Sequence, residues 1–221
     1  MRLARAPERT HRLVPSRFPP IDTFDRVVSS SDLERVLELE SWTNDRLVNT
    51  RLRRLTESEW VYGRPNASVV MAAFLHSAPQ GTRFAGPDLG AWYAASALET
   101  SALEVANGIR REIAQSALEQ KTEEFREYTA RLEGNFVDIR DARPDLHDPD
   151  PASYQITQMF GQSIRASSHD GIVYNSVRHP GGVNWVAYRP TQVQNVLQAR
   201  HFRLVVPYSG KVTMEKMPAD I

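Results

Sequence analysis

Glu104 is the residue whose neighbours first suggest chemistry. If residues 97–108 are helical, Ala97, Ser101, Glu104 and Gly108 follow the spacing i, i+4, i+7 and i+11 and form one row. A carboxylate then stands among small side chains, where another backbone or a ligand can come close. A boundary glutamate in water explains the same pattern. Thr82-Arg83-Phe84 lies in a loop from Gly81 to Gly90 that also holds Gly86 and Pro87. A guanidinium there offers a planar fork able to clamp a pyrophosphate, and the glycines let backbone amides approach the same anion. A surface arginine is the plainer reading. The loop has neither the P-loop lysine nor the G-x-G-x-x-G spacing of dinucleotide sites.

A third segment, Tyr174-Asn175-Ser176-Val177-Arg178-His179-Pro180-Gly181-Gly182, joins a hydroxyl, a guanidinium and an imidazole to a Gly-Gly turn. It reads as a functional loop or as a hairpin turn with its own hydrogen bonds. Ser176, His179 and Asp170 do not make a serine hydrolase, because no G-x-S-x-G elbow is present and residues so close in sequence seldom assemble a triad. Asp145, His147, Asp148 and Asp150 are explained without a metal by Pro149, Pro151 and a capping role for Asp150. His11, His76, His169 and His201 lack ligand spacing.

The elements that must position these groups can be read from periodicity. Ser31-Asp32-Leu33-Glu34 has the form of a capping box, and Leu33, Val36, Leu37 and Trp42 follow on one face of a helix. A second helical stretch carries Leu47 and Leu52 toward Leu55. Val69 to Phe74 is a short apolar run that fits a buried strand, although its length also admits a helix. Ala91 to Ala95 fits a strand leading into a second capping box, Ser96-Ala97-Leu98-Glu99. The helix that follows buries Leu98, Ala102, Val105 and Ile109 and continues into the charged stretch 110–131, read as a solvated helix with Glu123 and Glu127 near Arg126 and Arg131. Phe136 to Ile139 predicts a strand and 145–151 a polar connector. Asp150 and Pro151 then open a helix with Ile156, Met159, Phe160 and Ile164 on its stripe. Strands at 172–174, 183–188 and 202–206 complete the chain.

Composition narrows the classes. The chain has 221 residues, 41% of them hydrophobic, which suits one substantial core. Lys plus Arg and Asp plus Glu are 27 each, so no net field draws the molecule to nucleic acid or an anionic membrane, and any anion site must be local. The absence of cysteine removes disulfides and thiolate chemistry and suits a reducing, cytoplasmic setting. Residues 1–20 are basic, carry no apolar signal region and contain Pro7, Pro15, Pro19 and Pro20; they are expected to form an extended arm on the domain.

Taken together, GTRFAGPDLGAWYAASALETSALEV (residues 81–105) and DGIVYNSVRHPGGVNWVAYRP (170–190) resemble the RES family, as do RLVPSRFPPIDTFDRV (12–27) and MAAFLHSAPQ (71–80). The resemblance puts the family arginine at Arg83, the tyrosine at Tyr93, the glutamate at Glu104 and the serine at Ser176. It implies a single α/β (α+β) domain over 21–221, like the ADP-ribosyltransferases, with a small twisted mixed or antiparallel sheet flanked by helices. It also implies a toxin that degrades NAD+ at the nicotinamide–ribose bond by phosphorolysis or hydrolysis, neutralised by an Xre-type antitoxin. The alternatives are a mono-ADP-ribosyltransferase acting on a protein, or a degenerate member that only binds. NAD+ would be the substrate and inorganic phosphate an optional co-substrate. No metal is needed, no direct contact with nucleic acid or membrane is expected, and a homodimer is allowed. Glu104 would stabilise a cationic ribose, Arg83 grip the pyrophosphate, Tyr93 stack on nicotinamide and Ser176 fix a ribose or carboxamide group, with Arg178 as a phosphate ligand. Asn175 replaces the family's more frequent proline, and Asn107-Gly108 stands where many members carry a histidine.

Overall fold

The computed structural model describes residues 2–18, 22–27, 29, 31, 32 and 50–218. Most of the helix expected from Ser31 onward lies outside these residues, as does Leu47. The strands are β1 (Leu3–Ala4), β2 (Thr10–Pro15), β3 (Trp92–Ala95), β4 (Gln120–Leu132), β5 (Phe136–Asp138), β6 (Gly171–Asn175), β7 (Val183–Ala187), β8 (Val193–Pro207) and β9 (Thr213–Lys216). Among the described residues they form one nine-stranded sheet in the order β1-β5-β6-β7-β3-β2-β4-β8-β9. The pair β5–β6 is parallel and its neighbours are antiparallel, so the expected mixed sheet is present. Residues 10–15, expected in an arm lying over the domain, are instead a strand between β3 and β4.

Helices α1 (Ala67–Leu75), α2 (Leu98–Ser116) and α3 (Tyr154–Arg165) lie against this sheet. β6 and β7 are buried on both faces, and the two-residue period sorts their side chains. Ile172, Tyr174 and Val186 join Ile164 of α3 in one cluster. Val173, Trp185 and Ala187 join α1 in another. α2 lays Ala102, Ala106, Ile109 and Ile113 on Leu13, Phe125, Phe202, Leu204 and Val206, a stripe one step round from the one anticipated.

Four local expectations need correction. Residues 69–74 are helical: Ala67, Val70, Met71, Phe74 and Leu75 are buried at helical spacing. The helix start is capped from far away, since Asp25 accepts from the amides of Asn66 at 2.6 Å and Ser68 at 2.8 Å, a partnership no local motif reveals. The second capping box does not form. Ala97 occupies the N-cap, and the Ser96 hydroxyl accepts from the Trp185 indole at 2.8 Å. The charged stretch does not prolong α2: Ala117 ends the helix at φ 52°, and 120–132 is the strand β4. Its charges pair across the sheet instead of along a helix, Glu127 with His11, Glu123 with Arg17 and Glu124 with Arg203. Finally, α3 buries Thr157, Gly161 and Ile164, while Ile156 and Met159 face outward.

Among the described residues no helix is long and apolar enough to cross a membrane.

Candidate functional site

A cleft of about 1130 Å³ opens between α2 and α3 above β3, β6 and β7. Its floor follows from strand register: Tyr93 pairs with Val186 and Ala95 with Asn184, and Asn184 pairs with Tyr174. These positions share one face of the sheet, so Tyr93, Tyr174 and Asn184 all reach the cleft. From α2, Ser101, Glu104 and Gly108 line it, three of the four residues of the row deduced above; Ala97 does not.

Glu104 is half-buried and held by two donors on one oxygen. The Ser176 hydroxyl donates to Oε1 at 2.6 Å and the Asn184 amide donates to the same atom at 2.6 Å. This leaves Oε2 for a ligand. Ser176 is itself buried, and its Oγ accepts from the amides of Arg178 at 3.1 Å and His179 at 3.0 Å. The loop is closed by Ser176 N donating to Gly182 O at 2.8 Å and is tied to α2 through Thr100 and His179, 2.9 Å apart. Ser176 therefore positions the carboxylate, with its hydrogen-bonding capacity fully used.

The connector between β5 and α3 holds both arginines. Arg83 Nη1 donates to Asp148 O at 2.7 Å and Leu146 O at 3.4 Å, and Arg178 Nη2 donates to the next carbonyl, Pro149 O, at 2.5 Å. Both side chains line the cleft. Arg83 lies 5.3 Å from the centre of the Tyr154 ring and meets carbonyls rather than carboxylates, so its charge is available to an anion. Its own loop is strapped to α3: Thr157 donates to Arg83 O, and the Gln158 amide donates to Gln80 O and Thr82 O, each at 2.9 Å. Within the connector, Asp145 pairs with Arg143, and Asp150 accepts from Ala152 N at 2.9 Å, the cap read from sequence. Among the described residues no group of three or more His, Asp or Glu could hold a metal ion.

Tyr93 is bound into the same loop. Its hydroxyl oxygen accepts from Thr82 Oγ1 at 2.8 Å and from Phe84 N at 2.9 Å. Tyr93→Phe should therefore destabilise the protein by about 1–3 kcal/mol, by stranding a buried amide; equilibrium urea unfolding of the two proteins measures this. Burial pushes Tyr93 up to about 12, against the pull of those two hydrogen bonds. Burial and then the Glu104 charge raise Tyr174 well above its ordinary value, and burial raises Tyr188 likewise. In the unfolded chain these groups ionise near 10. Above that pH the folded state holds more protons than the unfolded one, so stability should fall as pH rises from about 10 toward 12. Arg12, whose pKa burial lowers to about 10, acts the other way over the same window but is outnumbered by the three hydroxyls, so a urea midpoint that rose with pH would contradict their burial.

Sequence reasoning did not single out Asn184 or Tyr154. Asn184 could have been found as the polar residue inside an otherwise apolar strand, on the face it shares with Val186. Tyr154 carries no such signal.

A mixed sheet flanked by helices, with a fixed carboxylate and arginines that include Arg83 and Arg178 lining one cleft, defines an α/β protein with charges of both signs gathered at a single site. The RES domain model matches residues 51–207, and the chain belongs to that family. The uncharacterized protein y4oC of Sinorhizobium fredii (strain NBRC 101917 / NGR234) is 26% identical over 202 residues, 88% of this chain and 81% of that protein.

Proposed function

We propose that this protein is a toxin that cleaves the nicotinamide–ribose bond of NAD+. The observation that carries the reading is the Glu104 carboxylate, fixed at Oε1 by Ser176 and Asn184 with its other oxygen left for the cleft. Nicotinamide departs as a neutral molecule with the bonding electron pair, and the ribose becomes oxocarbenium-like. One fixed negative charge stabilises that cation, so neither a general acid nor a metal is required. Water then attacks the anomeric carbon and gives ADP-ribose and a proton; phosphate as acceptor gives the 1-phosphate of the same sugar. Arg83 holds the pyrophosphate, Tyr93 and Tyr174 floor the nicotinamide end, and Arg178 stands near the acceptor.

Incubation of the purified protein with NAD+, with and without phosphate, should release free nicotinamide, and the identity of the second product names the acceptor. Intact NAD+ after prolonged incubation would leave only a binding role. Arg83→Lys keeps the charge but loses the planar fork, so KM for NAD+ should rise roughly tenfold, about 1.4 kcal/mol, with a smaller change in kcat. An Xre-type antitoxin covering the cleft would place a carboxylate or chain terminus against Arg83 and Arg178 and compete with the pyrophosphate. Its inhibition should weaken as NAD+ is raised.

A further inference from the structure

A second cavity, of about 330 Å³, lies where the end of β5 and the residues that follow it meet α3. None of its lining residues lines the cleft. Val137, Ile139, Ala142 and Phe160 give it apolar walls, and Arg2, Asp138, Asp141 and Arg143 stand around them. Those charges are already matched. Arg143 grips Asp145 through Nε at 3.0 Å and Nη2 at 2.7 Å, and the buried Asp138 carboxylate accepts from Arg140 at 2.9 and 2.7 Å. Arg2 reaches Asp138 and Asp141 at 3.5 Å each. Three arginines thus balance three aspartates, and the cavity has no spare charge for an ion.

What it offers instead is flat and apolar. The Arg143 guanidinium carbon lies 5.1 Å from the centre of the Phe160 ring, and both planar groups stack readily on another ring. An apolar cavity of about 150 Å³ admits one benzene, so this one has room for a fused pair of rings. Its walls are also part of the hold on the cleft arginines. Val137, Ile139 and Phe160 pack in one cluster with Leu146 of the connector and Phe84 of the Arg83 loop. The Leu146 and Asp148 carbonyls accept from Arg83, and the Pro149 carbonyl accepts from Arg178. Between the cavity and those carbonyls the chain turns at Arg143, whose φ of 56° a residue with a Cβ adopts only where its surroundings impose it.

We propose that this cavity is a second ligand site, for a small neutral aromatic molecule, and that filling it steadies the connector and with it Arg83 and Arg178. A ring against Val137, Ile139 and Phe160 supplies the packing partners that an open cavity withholds from them. It also restrains Arg143, three residues before the first of the carbonyls that hold Arg83. The site does not depend on whether Glu104 cleaves NAD+.

Indole is the probe. Titrated into the full-length protein, it should cause saturable NMR shift changes centred on Val137, Ile139, Ala142 and Phe160. Indole-3-acetate, the same rings with a carboxylate, should bind roughly tenfold more weakly because no cation is left to receive it. Ala142 is exposed at the cavity wall, and Ala142→Phe, which fills the space from within, should weaken indole roughly tenfold or more. Modification of Arg83 and Arg178 by phenylglyoxal, followed by peptide mass spectrometry, should slow about fivefold at saturating indole, the lower end of ordinary coupling between two sites. The absence of saturable binding, shifts centred on Tyr93 and Tyr174 of the cleft, or full binding to a folded Ala142→Phe protein overturns the site. Unchanged modification of both arginines at saturation overturns the coupling. The shift map decides alone if Ala142→Phe does not fold. Nicotinamide release enters none of these readouts, so the failure of this site and the failure of the cleavage reading are separate results.

Discussion

Glu104→Gln is expected to slow nicotinamide release from NAD+ by about 10²- to 10³-fold, the scale on which fixed electrostatic groups act on charged transition states. The glutamine carbonyl can take the place of Oε1 and still accept from Ser176 and Asn184, the two donors that hold the carboxylate. Shape and hydrogen bonds are kept and only the charge is removed. The thermal midpoint should therefore stay close to that of the parent protein, while the growth arrest and NAD+ depletion that the proposed function predicts on expression should disappear. A glutamine variant that remained fully active at normal protein levels would remove Glu104 from the chemistry.

Gly161→Ala should give a large loss of stability for a single added methyl group. A Cβ at Gly161 would fall inside the contact radius of the Phe84 carbonyl oxygen and 2.6 Å from the Tyr188 hydroxyl. That hydroxyl donates to Phe84 O at 2.8 Å, in the loop that carries Arg83. The added carbon must push α3 away from the loop, and overpacking of this kind destabilises by about 1–3 kcal/mol. At about 2–4 °C per kcal/mol for a chain of this size, the thermal midpoint should fall by roughly 2–12 °C, and NAD+ binding should weaken with the displaced arginine. Gly108→Ala is the matching control. A Cβ there meets nothing within 4 Å, and alanine favours a helix over glycine by about 1 kcal/mol, so it should stabilise the fold. If both variants melted alike, close approach of α3 to the loop would not be the reason for glycine at 161.

The sequence carried the α2 site well because one local period sufficed. Ser101, Glu104 and Gly108 needed only helical spacing to share a face. It carried α1 and β4 badly because their causes are distant. Residues 69–74 turn into a helix under a cap supplied by Asp25, and 120–132 turn into a strand because β2 and β8 flank it. Register shifts between Arg126 and Tyr128 and between Thr129 and Arg131 also break the alternation that would have marked β4 as a strand. Ile156 and Met159 satisfied a helical stripe, yet α3 presents Thr157 and Gly161 inward, since the Arg83 loop needs a hydroxyl and an absent side chain there. The resemblance to the RES family brought Arg83, Tyr93 and Ser176 forward, but not the hydrogen bonds that make Tyr93 and Ser176 fasteners of the loop and the carboxylate. Asn184 went unseen because its partner lies 80 residues earlier in the chain.

That separation matters while the protein is being made. Glu104 emerges from the ribosome 72 residues before Ser176 and 80 before Asn184. β2 emerges earlier still, and its partner strands are β3, paired through His11 and Ala95, and β4, more than a hundred residues away at Thr10 and Ala130. Pairings so far apart in sequence form late. A nascent chain therefore holds an unfastened carboxylate, a sheet with no centre and no cleft until β7 has cleared the exit tunnel. Translation itself acts as a timer on the site, and a message broken before the codon for Asn184 yields a polypeptide in which Glu104 lacks its amide donor and the cleft part of its floor.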